Sequence, residues 1–158
     1  MTIIATDGIT IAADGLEVCD GIIVCRDAEK IRVVNGFGIY AMTGVAPLWE
    51  PLIAWHCKGA KPEDVPKIAE GETWTFIAIT KGGIHQYHEN CAYPDRIEPP
   101  WAWGANNEIA LGAMYVGKTA AEAVALVCER TINCGGEIQA VHISQALGLT
   151  YKLKVRAG

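Results

Sequence analysis

Several groups of residues in this chain have types and spacings that could do chemistry, and each implies a different one. Gly112-Ala-Met-Tyr-Val-Gly117-Lys118-Thr119 reproduces the spacing of a phosphate-binding loop. Such a loop follows a strand and presents bare backbone N–H groups to its ligand. Here the residues between the glycines are apolar and helix-like and follow Ile109-Ala-Leu, so Gly117 reads as a cap joining two helices. No Asp follows position 95, which leaves Glu122, Glu129 and Glu137 as the later carboxylates for a magnesium ion. Nucleotide binding is therefore not expected. His85, His88 and Cys91 have the chemistry of metal ligands. A spacing of three puts the two histidines on opposite faces of a strand, so strand-edge histidines are expected rather than zinc. Cys19, Cys25, Cys57, Cys91, Cys128 and Cys134 include no CxxC pair and read as free thiols. Ser144 is the only serine, it falls in a strand-like run, and no GxSxG elbow exists, which removes serine-triad hydrolysis. That leaves Thr2, at the head of the first apolar run, as a hydroxyl whose position raises a question.

The elements that would position these residues follow from composition and turn signals. A length of 158 residues suits one domain, residues 1–158, burying about two-thirds of its unfolded surface. No apolar run approaches the roughly 18 residues of a membrane span, and a net charge of −5 argues against a nucleic-acid surface. The first ten residues carry Asp7 and no Lys or Arg, so no secretion signal is expected and a cytoplasmic setting is. Asp7-Gly8, Asn35-Gly36 and Lys81-Gly82-Gly83 each join two β-like runs, giving hairpins over 2–6 and 9–13, 31–34 and 37–42, and 74–80 and 84–88. Residues 21–25 read as a further short strand. Pro47 and Pro51 open a helix running through Cys57 and closed by Gly59. Residues 61–71 and 92–100 read as loops. Trp101 and Trp103 alternate in an expected strand and share a packing face. Helices are expected over 107–116 and 119–132. The second starts at the capping box Thr119-Ala-Ala-Glu122 and carries Ala120, Ala123, Val124, Val127 and Cys128 on one stripe. Strands at 138–144 and 149–155 close the chain. Hairpin-linked strands with helices in two separate blocks predict an α+β fold of mainly antiparallel sheets with helices outside.

Four stretches carry a resemblance: Thr2-Ile3-Ile4; Ile11-Ala-Ala-Asp14-Gly15; Ala28-Glu-Lys30-Ile31; and Ala41-Met-Thr-Gly44-Val-Ala46. A fifth runs from Gly104 through the helix pair to Cys134-Gly135-Gly136. In this order they resemble proteasome β subunits and the HslV peptidase, of the N-terminal-nucleophile hydrolases. The resemblance implies a four-layer αββα sandwich of two mainly antiparallel sheets. It implies a threonine-type amidohydrolase, an endopeptidase, working as a homo-oligomer that could be a ring, on peptide or unfolded protein. It implies no cofactor and no metal, and it identifies no regulatory ATPase.

By the same resemblance, Thr2 is both nucleophile and, through its freed α-amine, base. Lys30 is the nearby cation, Asp14 holds Lys30, and the Gly44 N–H serves the oxyanion. An α-amine has a pKa of roughly 8, close to the operating pH. Read singly, Thr2 is also an ordinary strand residue, Asp14 a turn residue, Lys30 part of the charge run 26–30, and Gly44 a strand end.

The sequence departs from the family pattern in several places. "MTII" stands for Thr-Thr-Ile-Val, which aligns most simply with Met1 in the nucleophile's place; a shift by one, shortening the first hairpin at Asp7-Gly8, sets Thr2 there. Gly104-Ala105-Asn106 stands for Gly-Ser-Gly, Thr131 for a late acid, and Cys134 for a late serine. Only one helix fits between Gly44 and Trp74, where the family has two. A catalytically inactive structural subunit of the same fold is the alternative reading.

Overall fold

The chain turns back on itself at Asp7-Gly8, as its sequence predicts. In the computed structural model, which describes residues 1–67, 69–89 and 91–148, β1 (Ile3–Thr6) pairs antiparallel with β2 (Thr10–Ala13). The turn closes because one oxygen of Asp7 accepts hydrogen bonds from the N–H groups of Ile9 and Thr10, at 2.9 and 2.8 Å. Next come the short ribbon strands β3 (Glu17–Cys19) and β4 (Ile22–Cys25), then β5 (Ile31–Val34) and β6 (Gly38–Gly44). Helix α1 (Trp49–Cys57) is entered through a 3-10 turn at Ala46–Leu48. Pro47 and Pro51 fall in the first turns, where a missing N–H costs nothing. A meander follows: β7 (Trp74–Thr80), β8 (Gly83–His88) and β9 (Cys91–Ile97). After β10 (Trp101–Gly104) come α2 (Asn107–Tyr115), α3 (Ala120–Arg130), β11 (Gln139–His142) and the short α4 (Ile143–Ala146).

The strands form two principal sheets, ordered β10-β1-β2-β11 and β5-β6-β7-β8-β9, with every neighbouring pair antiparallel. Alternation along each strand assigns its side chains to layers. Ile3, Ala5, Ala12 and Ala102 face α2 and α3, against Ala123, Val124 and Val127. Ile4, Ile11, Ala13 and Trp103 face the second sheet, against Ile39, Ala41, Ile77 and Ile79. On that sheet's far side Tyr40, Phe76 and Tyr87 pack on Leu52, Ile53 and Trp55 of α1. The result is a four-layer αββα sandwich. Its first sheet is buried on both faces, which is why β1 and β2 are apolar except for Thr6 and Thr10 at the turn. Ile3 and Ile4 are wholly buried, and each contributes about 1.5–3 kcal/mol of transfer free energy.

The helix predictions hold within a residue or two. The capping box is formed: the Thr119 hydroxyl accepts from the Glu122 N–H and the Glu122 carboxylate accepts from the Thr119 N–H. The other oxygen of Asp7 accepts from the N–H of Ala120 at 2.9 Å, so the first hairpin turn also caps α3. Gly112 lies inside α2 and Gly117 ends that helix with its N–H on the Met114 carbonyl, so the phosphate-loop pattern is a helix–turn–helix junction. Among the described residues, the outer layer after Gly44 contains one α-helix, α1.

Two expectations are corrected. Residues 92–100 are not a loop, since β9 occupies Cys91–Ile97 as an edge strand paired with β8. Pro94 misleads there, because an edge strand tolerates a residue that cannot donate to a neighbour. The strand expected over 138–144 stops at His142, whose imidazole accepts from the Gln145 N–H and starts α4; Ser144 is therefore helical. The strand expected at 21–25 is present as β4, and it pairs with β3, which is short, exposed and without a periodic signal. The strand expected at 149–155 lies outside the described residues.

Candidate active site

Pairing of β1 with β2 brings the first residues of the chain beside Asp14. The Asp14 N–H donates to the Ile3 carbonyl (3.2 Å), and the Ile3 N–H donates back to Asp14 Oδ1 (3.0 Å). Asp14 is wholly buried, and its Oδ2 accepts from the Gly135 N–H at 3.2 Å. A buried carboxylate needs a countercharge as well as donors. Lys30 supplies it, with Nζ 2.9 Å from Asp14 Oδ1.

Lys30 is itself held on all sides. Its ammonium also donates to the Leu16 carbonyl (2.8 Å) and to the Met1 carbonyl (3.4 Å). Its three protons thus have three acceptors. Its backbone N–H donates to Oε1 of Gln139 (2.6 Å), which also accepts from the Ile31 N–H (3.3 Å). Gln139 sits on β11, and its amide fixes where β5 begins. Sequence reasoning missed Gln139, the Gly135 N–H and the Leu16 carbonyl. A 109-residue separation between Lys30 and Gln139 leaves no local signal.

Thr2 is mounted on the sheet. Its carbonyl accepts from the Ala105 N–H at 2.8 Å, continuing the β1–β10 ladder. Gly104 has φ +93°, and a Cβ there would lie 1.9 Å from the Thr2 oxygen, so only glycine lets β10 pass this close. Gly44, at the end of β6, has φ +107°, and its Cβ would meet the Thr73 oxygen at 2.3 Å. Both glycines are required by the backbone before any chemistry is considered.

Thr2, Lys30, Gly44 and Ala105 line one cavity of about 520 Å³, with Met42 and Trp49 on its wall. Asp14 is absent from that lining and stands behind Lys30. Of the four residues singled out by sequence, three therefore share a cavity and the fourth anchors one of them. Met1 is two-thirds exposed (67%) at the mouth. Its carbonyl, the acyl side of the Met1–Thr2 peptide bond, is the one that Lys30 touches. While that bond is intact, the nitrogen of Thr2 is an amide and not a base.

The nearest alternative nucleophiles are disfavoured. Burial, and then the charge of Asp14, push the Cys134 thiol up, and the same two causes push Cys128 up to about 11. Both stay protonated at neutral pH, and a thiol is a poor nucleophile beside a thiolate. Ala105 contributes a methyl and no hydroxyl. His85 and His88 alternate along β8, and His88 Nε2 lies 3.8 Å from Asp95 Oδ2. Among the described residues no group of three or more His, Cys, Asp or Glu could hold a metal ion, and no helix is long and apolar enough to cross a membrane.

The fold has a precedent among solved structures. It matches the crystal structure of eukaryotic HslV from Trypanosoma brucei with a TM-score of 0.65 over 89% of this chain and 98% of that one. Sequence identity is 13%, so the likeness is one of fold. No protein-family model and no curated protein sequence matches the chain.

Proposed function

We propose that this chain is a threonine-type N-terminal-nucleophile amidohydrolase that acts on peptides and works as a homo-oligomer. One observation carries the reading: a buried ion pair, Lys30–Asp14, presents its ammonium to the Met1–Thr2 peptide carbonyl at the floor of a cavity. Removal of Met1 converts the Thr2 nitrogen into an α-amine at that place. A small residue at position 2 favours that removal.

In this reading the α-amine takes the proton from the Thr2 hydroxyl as Oγ adds to a substrate carbonyl. The ammonium of Lys30 lowers the proton affinity of its surroundings and keeps part of the amine free at neutral pH. The Gly44 N–H meets the oxyanion, an interaction worth about 100-fold or more in rate. Collapse expels the leaving amine, which takes the proton back from the α-ammonium, and leaves an ester on Thr2. Water, deprotonated by the α-amine, then hydrolyses that ester.

Intact-mass measurement and Thr2→Ala together test this. The reading expects loss of one methionine, adduct formation at Thr2 with an N-terminal-threonine-directed electrophile, and peptide turnover abolished by Thr2→Ala. Unchanged turnover in Thr2→Ala overturns it. A second reading, a non-catalytic subunit of the same fold, is favoured by Ala105, which leaves the cavity without the hydroxyl the family pattern has there. Retention of Met1 in the purified protein supports that reading.

A further inference from the structure

Three charged residues line the cavity, and the side chains of two are already matched. Lys30 is held by Asp14 at 2.9 Å. Glu29 grips Arg32 through both oxygens, at 2.9 and 3.0 Å. The third is Glu17. Among the described residues no cation pairs with it, and its contact is a long hydrogen bond from the Cys25 thiol, 3.6 Å. Glu17 follows Leu16, whose carbonyl holds the Lys30 ammonium, so the chain places this residue next to the reacting end of the cavity. Met42, Ala46 and Trp49 give the same cavity an apolar wall.

An apolar wall together with one unmatched carboxylate selects a particular side-chain chemistry. A long aliphatic stem packs on the wall, and a cationic tip reaches the rim. An acidic side chain would meet both Glu17 and Glu29, and a wholly apolar one would leave Glu17 unmatched. The chain's net charge of −5 adds a long-range field of the same preference. We infer that the cavity receives the Arg or Lys side chain of a peptide substrate and that Glu17 is the residue that determines this specificity. The inference rests on the Thr2 reading for the chemistry, though not for the binding.

Two measurements on the full chain, with Met1 removed, test it separately. Tripeptide epoxyketones carrying Arg, norleucine or Glu next to the reactive group are compared by their rate of adduct formation at Thr2. Arg is expected to react about tenfold faster than norleucine, with Glu slowest. Glu17→Gln brings the Arg-to-norleucine ratio close to one, and Glu17→Lys favours the Glu compound. In parallel, binding of an acetylated tripeptide ending in arginine amide is read from tryptophan fluorescence, and Glu17→Gln is expected to weaken it about tenfold. Labelling of Thr2 with no preference for Arg, or with a preference that survives Glu17→Gln, overturns the inference while leaving the Thr2 reading intact. If none of the three compounds labels Thr2, the catalytic reading falls and the binding measurement decides. Glu17-dependent binding of the arginine peptide upholds the specificity, and its absence overturns it.

Discussion

With Met1 in place, Lys30 uses every proton of its ammonium on an acceptor and is only 10% exposed, so its place is determined by structure as much as by any reaction. Structural and chemical roles can still be separated. Lys30→Met leaves Asp14 buried with two backbone donors and no cation, which costs about 3–5 kcal/mol in chemical denaturation. Adding Asp14→Asn removes the orphaned charge and should recover much of that stability while leaving adduct formation at Thr2 abolished. Recovery of labelling in the double variant would show that the ammonium does no chemistry. Lys30→Arg does not rescue either property, because a planar guanidinium cannot reproduce three convergent contacts from one nitrogen. Gly104→Ala tests the mount. Its φ of +93° and the 1.9 Å approach to the Thr2 oxygen mean that the start of β1 must shift, and a cost of about 1–3 kcal/mol is expected from backbone strain. The loss of Thr2 labelling should exceed what that destabilisation explains when both are measured at a temperature where the variant is fully folded.

Asp7 links the first hairpin to the third helix, and its ionisation is tied to that link. Burial alone would push its carboxyl up. The N–H groups of Thr10, Ala120 and Ile9 outweigh this and hold it below the ordinary carboxylate range. A carboxylate whose pKa is lower folded than unfolded stabilises the fold above the unfolded value, near 3.9, and loses that contribution as pH falls through the folded value. Asp7→Asn, with one acceptor oxygen in place of two, should cost about 1–2 kcal/mol at pH 7. It should cost progressively less below about pH 4, so thermal melts of variant and parent converge in acid. Melts that stay equally separated from pH 7 to pH 2 would exclude a role for the charge. Asp7 also shows what sequence can and cannot convey. The Asp-Gly turn and the Thr119–Glu122 box are local, and both are legible as letters. That one oxygen of Asp7 reaches Ala120, 113 residues away, is not. The elements misread are those whose local preference the sheet overrides. Cys91–Ile97 contains Pro94, Asp95 and Arg96, and becomes a strand because β8 offers it an edge. At the site, Lys30 and Asp14 were legible through an ordered set of short motifs. Gln139 was not, because its role exists only once β11 lies beside β2.

At the scale of the molecule, the β3–β4 ribbon stands apart from the four layers as a separate two-stranded sheet. A two-stranded ribbon is marginal alone in water. This one exposes Ile22 (71%), Val24 (58%), Ile23 (45%) and Val18 (40%), and is tied to the body at its base. There the Gly15 N–H donates to the Gly135 carbonyl, the Ala28 N–H to the Gly15 carbonyl, and the Glu137 N–H to the Arg26 carbonyl. Its first residues, Glu17 and Val18, are also the rim of the cavity. An apolar ribbon in that position favours a second copy of the chain as its cover, since association would bury the ribbon and stiffen the cavity wall together. Sedimentation of the purified chain should therefore show a species larger than one chain. Ile22→Lys with Val24→Lys, both well exposed in the single chain, should shift it toward the monomer without lowering the melting temperature measured at high dilution. Labelling of Thr2 by the Arg compound should fall with the size relative to the norleucine compound, because a ribbon freed on both faces no longer holds Glu17 at the rim. An unchanged sedimentation profile in the double variant would mean that the ribbon is not the contact, and a preference for the Arg compound that persists in a monomer would mean that the cavity is complete within one chain.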